Sequence, residues 1–297
     1  MLRQRIICTC LFLCASSLVG MFAKNGQTSP KALKKEGKSF QPQGFYIGVA
    51  GGVSTATFRD FATSPLFYSG VSPVLSLSLL KNRVSRDTEM EIVLSKGNFT
   101  NIYNGSIAVS NVKRMDVSYS ELFRIIPLST EGLNTQVGFL AHVTGNLRIN
   151  ESLLNNASGI EIVPTLYGAI KVSKDISRKK EKRGKVLFLR YRLSEKKQTL
   201  AFRANIGLIN SCYRNGFAYI NQTSVTNDPR FFEGYRFSFF SGFRMNTALD
   251  YTRYLKNRNA VRLSYVWDAY KTGGKYEKFE MASHNVKICL LFNTRNK

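Results

Sequence analysis

The sequence predicts an all-β fold: a transmembrane antiparallel β-barrel of about twelve strands, with ten strands left open as the alternative. Period-2 alternation of apolar and polar residues recurs from Gly44 to the C-terminus, and no helical period competes with it. An apolar segment at the N-terminus has the form of a secretory leader. Because alternation sends successive side chains to opposite faces of a strand, the repeated pattern predicts a sheet with one apolar and one polar face.

The first element is a predicted signal peptide over residues 1–23. Arg3 and Arg5 precede an apolar run from Ile6 to about Ala23, which matches the charged and apolar regions of such leaders. A retained membrane anchor is the alternative, although the run only just reaches spanning length. Cleavage would leave a mature chain that begins near Lys24.

Residues 24–42 are predicted to be a basic, flexible periplasmic segment, and residues 43–297 to be the barrel domain. The segment holds five lysines, one glutamate, two prolines and two glycines without an apolar period. After the leader, no stretch has the roughly 18 apolar residues that a membrane helix needs. Any crossing of a bilayer by the mature chain is therefore expected to use strands.

Alternation and intervening turn residues predict twelve strands, of which the later ones alternate most clearly. The weakest begins at Cys212, and counting all twelve returns both termini to the periplasm. The predicted strands run from Phe45 to Val53, Val71 to Leu80, Glu89 to Ser95, Lys113 to Ile125, Gln136 to Arg148, Ile162 to Val172, Val186 to Leu193, Gln198 to Asn210, Cys212 to Ile220, Arg236 to Thr252, Val261 to Tyr270 and Ala282 to Phe292.

Strand length and the residues of the polar phase favour a membrane barrel over a soluble sheet. Several segments reach ten or more residues, as a tilted crossing requires. The polar phase carries arginines beside glycine and serine, which suits a wet lumen. Long loops are predicted from Ser54 to Gly70, Asn98 to Ser110, Asn150 to Gly159 and Asn221 to Gly234, between shorter turns. A soluble secreted β-barrel stays open as an alternative.

With its leader, its even number of amphipathic strands and a last strand that ends in Phe292, the chain resembles bacterial outer-membrane β-barrel proteins. The resemblance covers about Gly44 to Phe292 and rests on pattern, without a subfamily motif. It departs in one respect, because residues 293–297 follow the aromatic residue at which such proteins often stop. The resemblance implies a location in the bacterial outer membrane.

The chain is strongly basic, with 43 Lys and Arg against 19 Asp and Glu. Such an excess often indicates a polyanionic partner, but a secreted chain does not meet nucleic acid. We therefore expect outer-membrane lipid and lipopolysaccharide as partners and no nucleic acid. A general bias of the proteome towards lysine is an equally good explanation.

The sequence offers no convincing catalytic or metal site, and no cofactor is predicted. His142, Thr144 and Asn146 resemble part of the His-x-Ser-Asn-Gly stretch of outer-membrane phospholipases, but Thr144 replaces the serine and the last two residues are reversed. His284 neighbours Ser283, yet adjacent strand residues point to opposite faces and cannot pair. Two histidines on opposite phases also make no metal site.

The leading functional hypothesis is a small passive, porin-like channel or wall protein with a basic lumen that would favour anions. The alternatives are a non-enzymatic interaction subunit of an envelope or secretion complex and, less favoured, a lipid-modifying barrel enzyme. The interaction surfaces would be the loops from Ser54 to Gly70 and from Asn221 to Gly234. The residues predicted to face the lumen are His142, Arg148, Arg203, Arg236, Arg244 and Arg262.

Overall fold

The computed structural model describes residues 43–103, 105–130, 132–150, 158–178, 181–186, 188–215, 234–274 and 278–294. The predicted signal peptide and basic segment, residues 1–42, lie outside these ranges, and their assignment stays a prediction. The strands are β1 (Gly44–Asp60), β2 (Ser64–Asn82), β3 (Arg86–Tyr103), β4 (Ser106–Arg124), β5 (Leu133–Ile149), β6 (Ser158–Asp175), β7 (Lys182–Val186), β8 (Leu189–Leu193), β9 (Lys197–Asn210), β10 (Cys212–Asn215), β11 (Tyr235–Ser238), β12 (Phe243–Tyr254), β13 (Ala260–Thr272) and β14 (Phe279–Asn293). One 3₁₀ turn, Ile126–Leu128, precedes β5.

Ten antiparallel strands close into a barrel. Each of β1 to β6 pairs with the next, β6 continues to β9, and β9, β12, β13 and β14 follow in order. The barrel closes where β14 pairs with β1 in continuous register from Tyr46 opposite Asn293 to Asp60 opposite Phe279. Closure leaves none of the ten strands with an unpaired edge along the wall, as a membrane barrel requires.

The wall therefore has the smaller of the two strand numbers that the sequence left open. The segment from Val186 to Leu193 contributes to a separate hairpin, in which β7 pairs only with β8. From the segment beginning at Cys212, the described residues form the short β10, which joins β6 through Tyr213 opposite Ile162 and then pairs with β11. These segments alternate like wall strands, but β7 and β8 pair only with each other and β10 joins the wall through a single residue pair.

The predicted strand from Arg236 to Thr252 is broken into β11 and β12. Phe240 and Gly242 between them have φ values of 49° and 86°, which lie in the left-handed region that ends a β ladder. A Cβ atom at Gly242 would also collide with the carbonyl oxygen of Lys271. The sequence alternates through this break, because the alternation of apolar and polar residues does not depend on the sign of φ.

The faces of the wall are reversed relative to those of a soluble barrel. Outward side chains such as Leu75, Leu77 and Ile288 are 66%, 60% and 58% exposed, whereas Asn205 and Ser283 on the inward phase are 0% exposed. An apolar outside and a polar inside are the arrangement that a bilayer selects. We call the outward apolar side chains of the ten strands the apolar belt. No helix in the described ranges is long and apolar enough to cross a membrane.

The wall extends beyond the belt at one end. We call the end that carries Gly44 and Asn293 the inner end, and the opposite end the outer end. Strands β1 to β4 have 17 to 19 residues, more than the nine to eleven, roughly, that span a bilayer. The outward face of β1 changes after Val53 from apolar residues to Thr55, Thr57 and Arg59.

Two predicted loops are therefore strand. The segment from Ser54 to Gly70 forms the outer ends of β1 and β2 around a turn at residues 61–63, and that from Asn98 to Ser110 does the same in β3 and β4. Their outward residues are polar because the strands have left the bilayer, and that polarity suggested loops. Residues 221–233 of the loop predicted up to Gly234 lie outside the described residues.

Candidate functional site

The candidate site is the lumen, which is crossed by three groups of ion pairs. We call them the outer network, the central ring and the inner ladder, in order from the outer end to the inner end. Each joins strands on opposite sides of the barrel, because period-2 alternation aims charged residues inward from all sides. Together they decide what can pass through the barrel.

The outer network consists of Asp60, Arg148, Glu161 and Arg214. Arg148 on β5 donates from Nη2 to Asp60 Oδ2 of β1 at 2.5 Å and from Nε to Glu161 Oε1 of β6 at 3.0 Å. Arg214 on β10 donates to Asp60 Oδ1 at 2.6 Å. Since β1 and β5 are four places apart in the sheet, this network spans the lumen.

Aromatic rings pack around the outer network and exclude water from it. Phe58 stacks with Tyr68 and Phe279 at centroid distances of 5.3 and 5.8 Å. The guanidinium of Arg148 lies 5.0 Å from the centroid of Phe279, and that of Arg214 lies 5.6 Å from it. These cation–π contacts add to the ion pairs and close the outer half of the lumen.

Cys212 belongs to the same buried cluster although β10 lies outside the wall. Its side chain is 1% exposed, and burial raises the pKa of the thiol to about 11, while Thr272 and Arg214 oppose this rise. The thiol is free. A buried thiol with a raised pKa behaves as a packing group with little nucleophilic character.

The central ring consists of Arg114, Asp116, His142, Thr144, Arg244 and Asp268. Asp268 on β13 accepts from Arg114 of β4 at 2.8 Å and from Arg244 of β12 at 2.8 Å. Arg114 Nε in turn donates to Asp116 Oδ2 at 2.7 Å. The strands β4 and β13 lie on opposite sides of the barrel, so the ring spans its middle.

Thr144 and His142 complete the ring from β5. The Thr144 hydroxyl donates to Asp116 Oδ1 at 2.5 Å and accepts from Arg244 Nη2 at 2.7 Å. His142 Nε2 lies 3.0 Å from the same Asp116 oxygen and 3.4 Å from the Thr144 hydroxyl. Every member therefore touches at least one charged partner, and the set is held rigidly.

This geometry does not form a nucleophile–histidine–carboxylate triad. In a triad the carboxylate holds one ring nitrogen of histidine and the nucleophile lies at the other. Here Asp116 and Thr144 both approach Nε2 of His142, and the Thr144 proton points to Asp116. The arrangement favours a structural histidine.

The second histidine lies on the opposite side of the wall. His284 is exposed on the outward face, where its Nδ1 lies 2.7 Å from the hydroxyl of Tyr265. The neighbouring Ser283 is fully buried on the inward face. As alternation predicts, these two side chains cannot act on one substrate.

The inner ladder joins an acidic strand to basic residues of the facing wall. Asp87, Glu89 and Glu91 occupy alternate positions of β3 and point inward. Their partners are Lys171 of β6, Arg262 of β13 and Lys287 of β14, at N···O distances of 3.0, 2.7 and 2.6 Å, and Arg203 of β9, 3.5 Å from Glu89. None of these strands is a neighbour of β3 in the sheet.

The structure distributes the residues predicted to face the lumen over all three groups. Arg148 lies in the outer network, His142 and Arg244 in the central ring, and Arg203 and Arg262 in the inner ladder. Arg236 differs: it lies on β11, outside the ten-strand wall, and is exposed. Its assumed strand continued into β12, and the break at Gly242 removes that continuity.

A basic lumen is not found in the part of the chain that the structure describes. Eight described cations that face the interior pair with carboxylates; they are Arg114, Arg148, Lys171, Arg203, Arg214, Arg244, Arg262 and Lys287. Arg124, on the inward phase at the inner end of β4, forms no ion pair in the described chain. The sequence prediction missed the acidic partners of the eight. The signal was present in Asp87, Glu89 and Glu91, whose spacing of two residues aims them to the face opposite the apolar Met90 and Ile92.

A cavity of about 80 Å³ lies beside the central ring and is lined by Phe99, Val112 and Met281 on its outer side. Arg114, His142, Arg203, Glu91 and Lys287 are among the residues that line it. Its volume admits a few water molecules and is far below the few hundred Å³, roughly, of a typical small-molecule site. Within the described ranges, no group of His, Cys, Asp or Glu residues is arranged to hold a metal ion.

Comparison with known proteins gives a likeness in fold. The outer-membrane protease OmpT from Escherichia coli matches with 8% identity over 87% of this chain and 99% of its own, at a TM-score of 0.52. The AIDA-I transport unit from Escherichia coli (9% identity, 85% of this chain and 91% of that chain, TM-score 0.38) and the NalP translocator domain from Neisseria meningitidis (10%, 94% and 97%, 0.35) also match. No family model and no curated protein matches.

The chain has the fold of a bacterial outer-membrane β-barrel. The likeness to OmpT shows this fold, which confirms the predicted fold class and the resemblance. The apolar belt shows independently that the barrel is built for a bilayer. Barrels with this outer face span bacterial outer membranes, so the location predicted from the sequence is supported. At 8% identity, nothing of the activity of OmpT follows for this chain.

Proposed function

We propose that this protein is a passive wall barrel of the outer membrane whose lumen is closed in the resting state. Its most telling feature is that the outer network joins β1, β5, β6 and β10 across the lumen, within a layer of packed aromatic rings. A solute would have to break buried ion pairs and displace those rings. The protein thus seals and stiffens the membrane wall and does not conduct anions through a basic pore.

We infer that the protein has no enzymatic role. His142 is the residue on which hydrolytic chemistry would depend, and its Nε2 is shared by Asp116 and Thr144 deep inside the barrel. His142 is 8% exposed and Thr144 is 0% exposed. A lipid substrate would therefore have no approach to the one histidine that has hydroxyl and carboxylate neighbours.

Single-channel conductance in a planar bilayer tests the closed state. The refolded wild type should insert without giving steady conductance steps. The variant R148A/R244A, which removes two guanidiniums that cross the lumen, should give steps with a preference for cations because Asp60, Glu161 and Asp268 would be uncovered. Steady anion-selective steps from the wild type would contradict closure and support the porin-like alternative.

A second candidate, an interaction subunit, is favoured by exposed aromatic residues at the outer end. Phe237 and Phe239 form an edge-to-face pair at 4.4 Å, and Phe239 and Phe240 are 53% and 76% exposed beside β12. Exposed aromatic groups of this kind often mark contact sites. Crosslinking in native envelopes would test it: a partner captured by the wild type and lost in F239S/F240S supports an interaction role.

A further inference from the structure

The net charge of +24 is not distributed evenly. Eight lumen cations are matched by carboxylates, and the apolar belt is uncharged over most of its height. Much of the excess lies at the inner end, where six exposed cations form what we call the inner basic rim: Lys81, Arg83, Lys174, Arg253, Lys256 and Arg258. In the described chain none of the six forms an ion pair.

The hairpin of β7 and β8 adds to this charge from the same end, since it connects the inner ends of β6 and β9. Its sequence holds five basic residues, namely Lys182, Arg183, Lys185, Arg190 and Arg192.

We propose that the inner basic rim binds the phosphate headgroups of anionic phospholipids in the periplasmic leaflet. The position of three rim cations favours lipid over a soluble polymer. Lys81, Lys174 and Arg253 each continue the outward phase of the apolar belt two residues beyond Leu79, Val172 and Tyr251. Two residues of strand rise about 7 Å, which places these cations at headgroup level.

The binding goes beyond the proposed closed wall and would orient the barrel in its membrane. An even number of strands puts both termini on one side of the membrane, which in bacterial outer-membrane barrels is the periplasm, so the rim faces the leaflet that consists of phospholipid. Anionic headgroups attract nearby Lys and Arg over about a Debye length, near 8 Å at physiological salt. The charge that first suggested a polyanionic partner thus belongs to one end of the barrel.

Native mass spectrometry of the refolded protein in detergent can test this. Short-chain phosphatidylglycerol is titrated against phosphatidylcholine of equal chain length, with three proteins: wild type, K81Q/K174Q, and K96Q/K113Q. The last variant removes two exposed outward cations at the outer end and is the matched control. Conductance is not the readout, so failure here is distinguishable from failure of the closed-wall proposal.

The wild type should retain phosphatidylglycerol selectively at its tightest sites. K81Q/K174Q should weaken those sites about fivefold for each cation removed, while K96Q/K113Q should change them less than about twofold. Equal losses in both variants, or equal binding of both lipids by the wild type, would overturn the proposal. R83Q/R253Q provides a second inner-end variant should K81Q/K174Q fold poorly. If a soluble acidic glycan binds the wild type in neutral nanodiscs while phosphatidylglycerol does not, the proposal is wrong and the inner basic rim binds a soluble polymer instead.

Discussion

The outer network and the inner ladder use the same chemistry under different degrees of burial. In the outer network the side chains of Arg148, Glu161 and Asp60 are 7%, 0% and 2% exposed and lie among aromatic rings. In the inner ladder those of Glu89 and Glu91 are 18% and 23% exposed. The same arrangement, an arginine or lysine across the lumen from a carboxylate, therefore has two roles.

Burial explains the difference. A buried pair repays its desolvation only while every partner is present, so loss of one partner leaves an uncompensated charge. A hydrated pair exchanges its partner for water at little cost. The outer network should therefore hold the barrel shut and stable, whereas the inner ladder should tolerate change. Four measurements, ordered by the size of the expected effect, test this contrast.

The largest effect is expected for Glu161→Gln. Arg148 and Arg214 would then share Asp60 as their remaining carboxylate partner in the outer network, where all these side chains are at most 7% exposed. We expect a loss of about 3–5 kcal/mol in the free energy of unfolding, measured by urea titration in detergent micelles with circular dichroism.

The control for this substitution is the double variant R148M/E161M. It replaces a buried ion pair by apolar side chains of similar length and keeps the pair between Arg214 and Asp60. Such replacements are often neutral, so the double variant should unfold at a higher urea concentration than Glu161→Gln. If the single variant were as stable as wild type, the outer network would not be dry.

The second measurement uses Cys212 as a reporter of that dryness. Because burial raises the pKa of the thiol from its ordinary value of 9.0 to about 11, the thiolate fraction at neutral pH falls by about a hundredfold. A charged maleimide should therefore modify folded protein at least that much more slowly than urea-unfolded protein. Rapid labelling of Cys212 in the folded protein, identified by peptide mass mapping, would show that water reaches the aromatic cluster.

Much of the wall was predictable from sequence because alternation is a local property. The strand from Ala282 to Phe292 is recognisable from its own residues and appears within β14. The outer ends of β1 and β2 were not predictable, because polar residues are typical both of a loop and of a strand that has left the bilayer. Register decides between these, as Thr55 opposite Val71 shows, and register depends on the partner strand.

The site was predictable only in part, for the same reason. Arg148 and Arg244 could be assigned to the polar face from their own strands. Their carboxylates lie on other strands: Arg148 reaches Asp60 on the distant β1, and Arg244 pairs with Asp268 on the neighbouring β13, whose register with β12 sets that contact. A single strand can thus indicate that a charge points inward, but only the closed barrel shows that it is neutralised.

The third measurement concerns a neutral hydrogen bond that lies between the central ring and the aromatic rings around the outer network. Asn146 donates from Nδ2 to the hydroxyl of Tyr270 at 2.7 Å, and both side chains are buried. Tyr270→Phe would leave that amide donor without its acceptor, at an expected cost of about 1–3 kcal/mol in unfolding free energy. The same urea titration measures it, and the double variant Y270F/N146L should recover part of the loss. No loss in Tyr270→Phe would mean that water replaces the hydroxyl and that hydration extends further outward.

The smallest effect is expected in the inner ladder, for Glu91→Gln. Glu91 and Lys287 are 2.6 Å apart, close enough for a strong pair, yet the Glu91 carboxylate is 23% exposed, so water reaches the pair from that side although Lys287 is only 9% exposed. The expected loss is about 1 kcal/mol or less, smaller still at high salt because exposed charges are screened. Conductance of this variant should stay as silent as that of the wild type, since the outer network that closes the lumen is untouched. Steady conductance of this variant would show that the inner ladder itself closes the lumen. A loss of stability as large as that of Glu161→Gln would show that the distance a pair spans across the lumen, rather than its burial, sets its contribution to the free energy of unfolding.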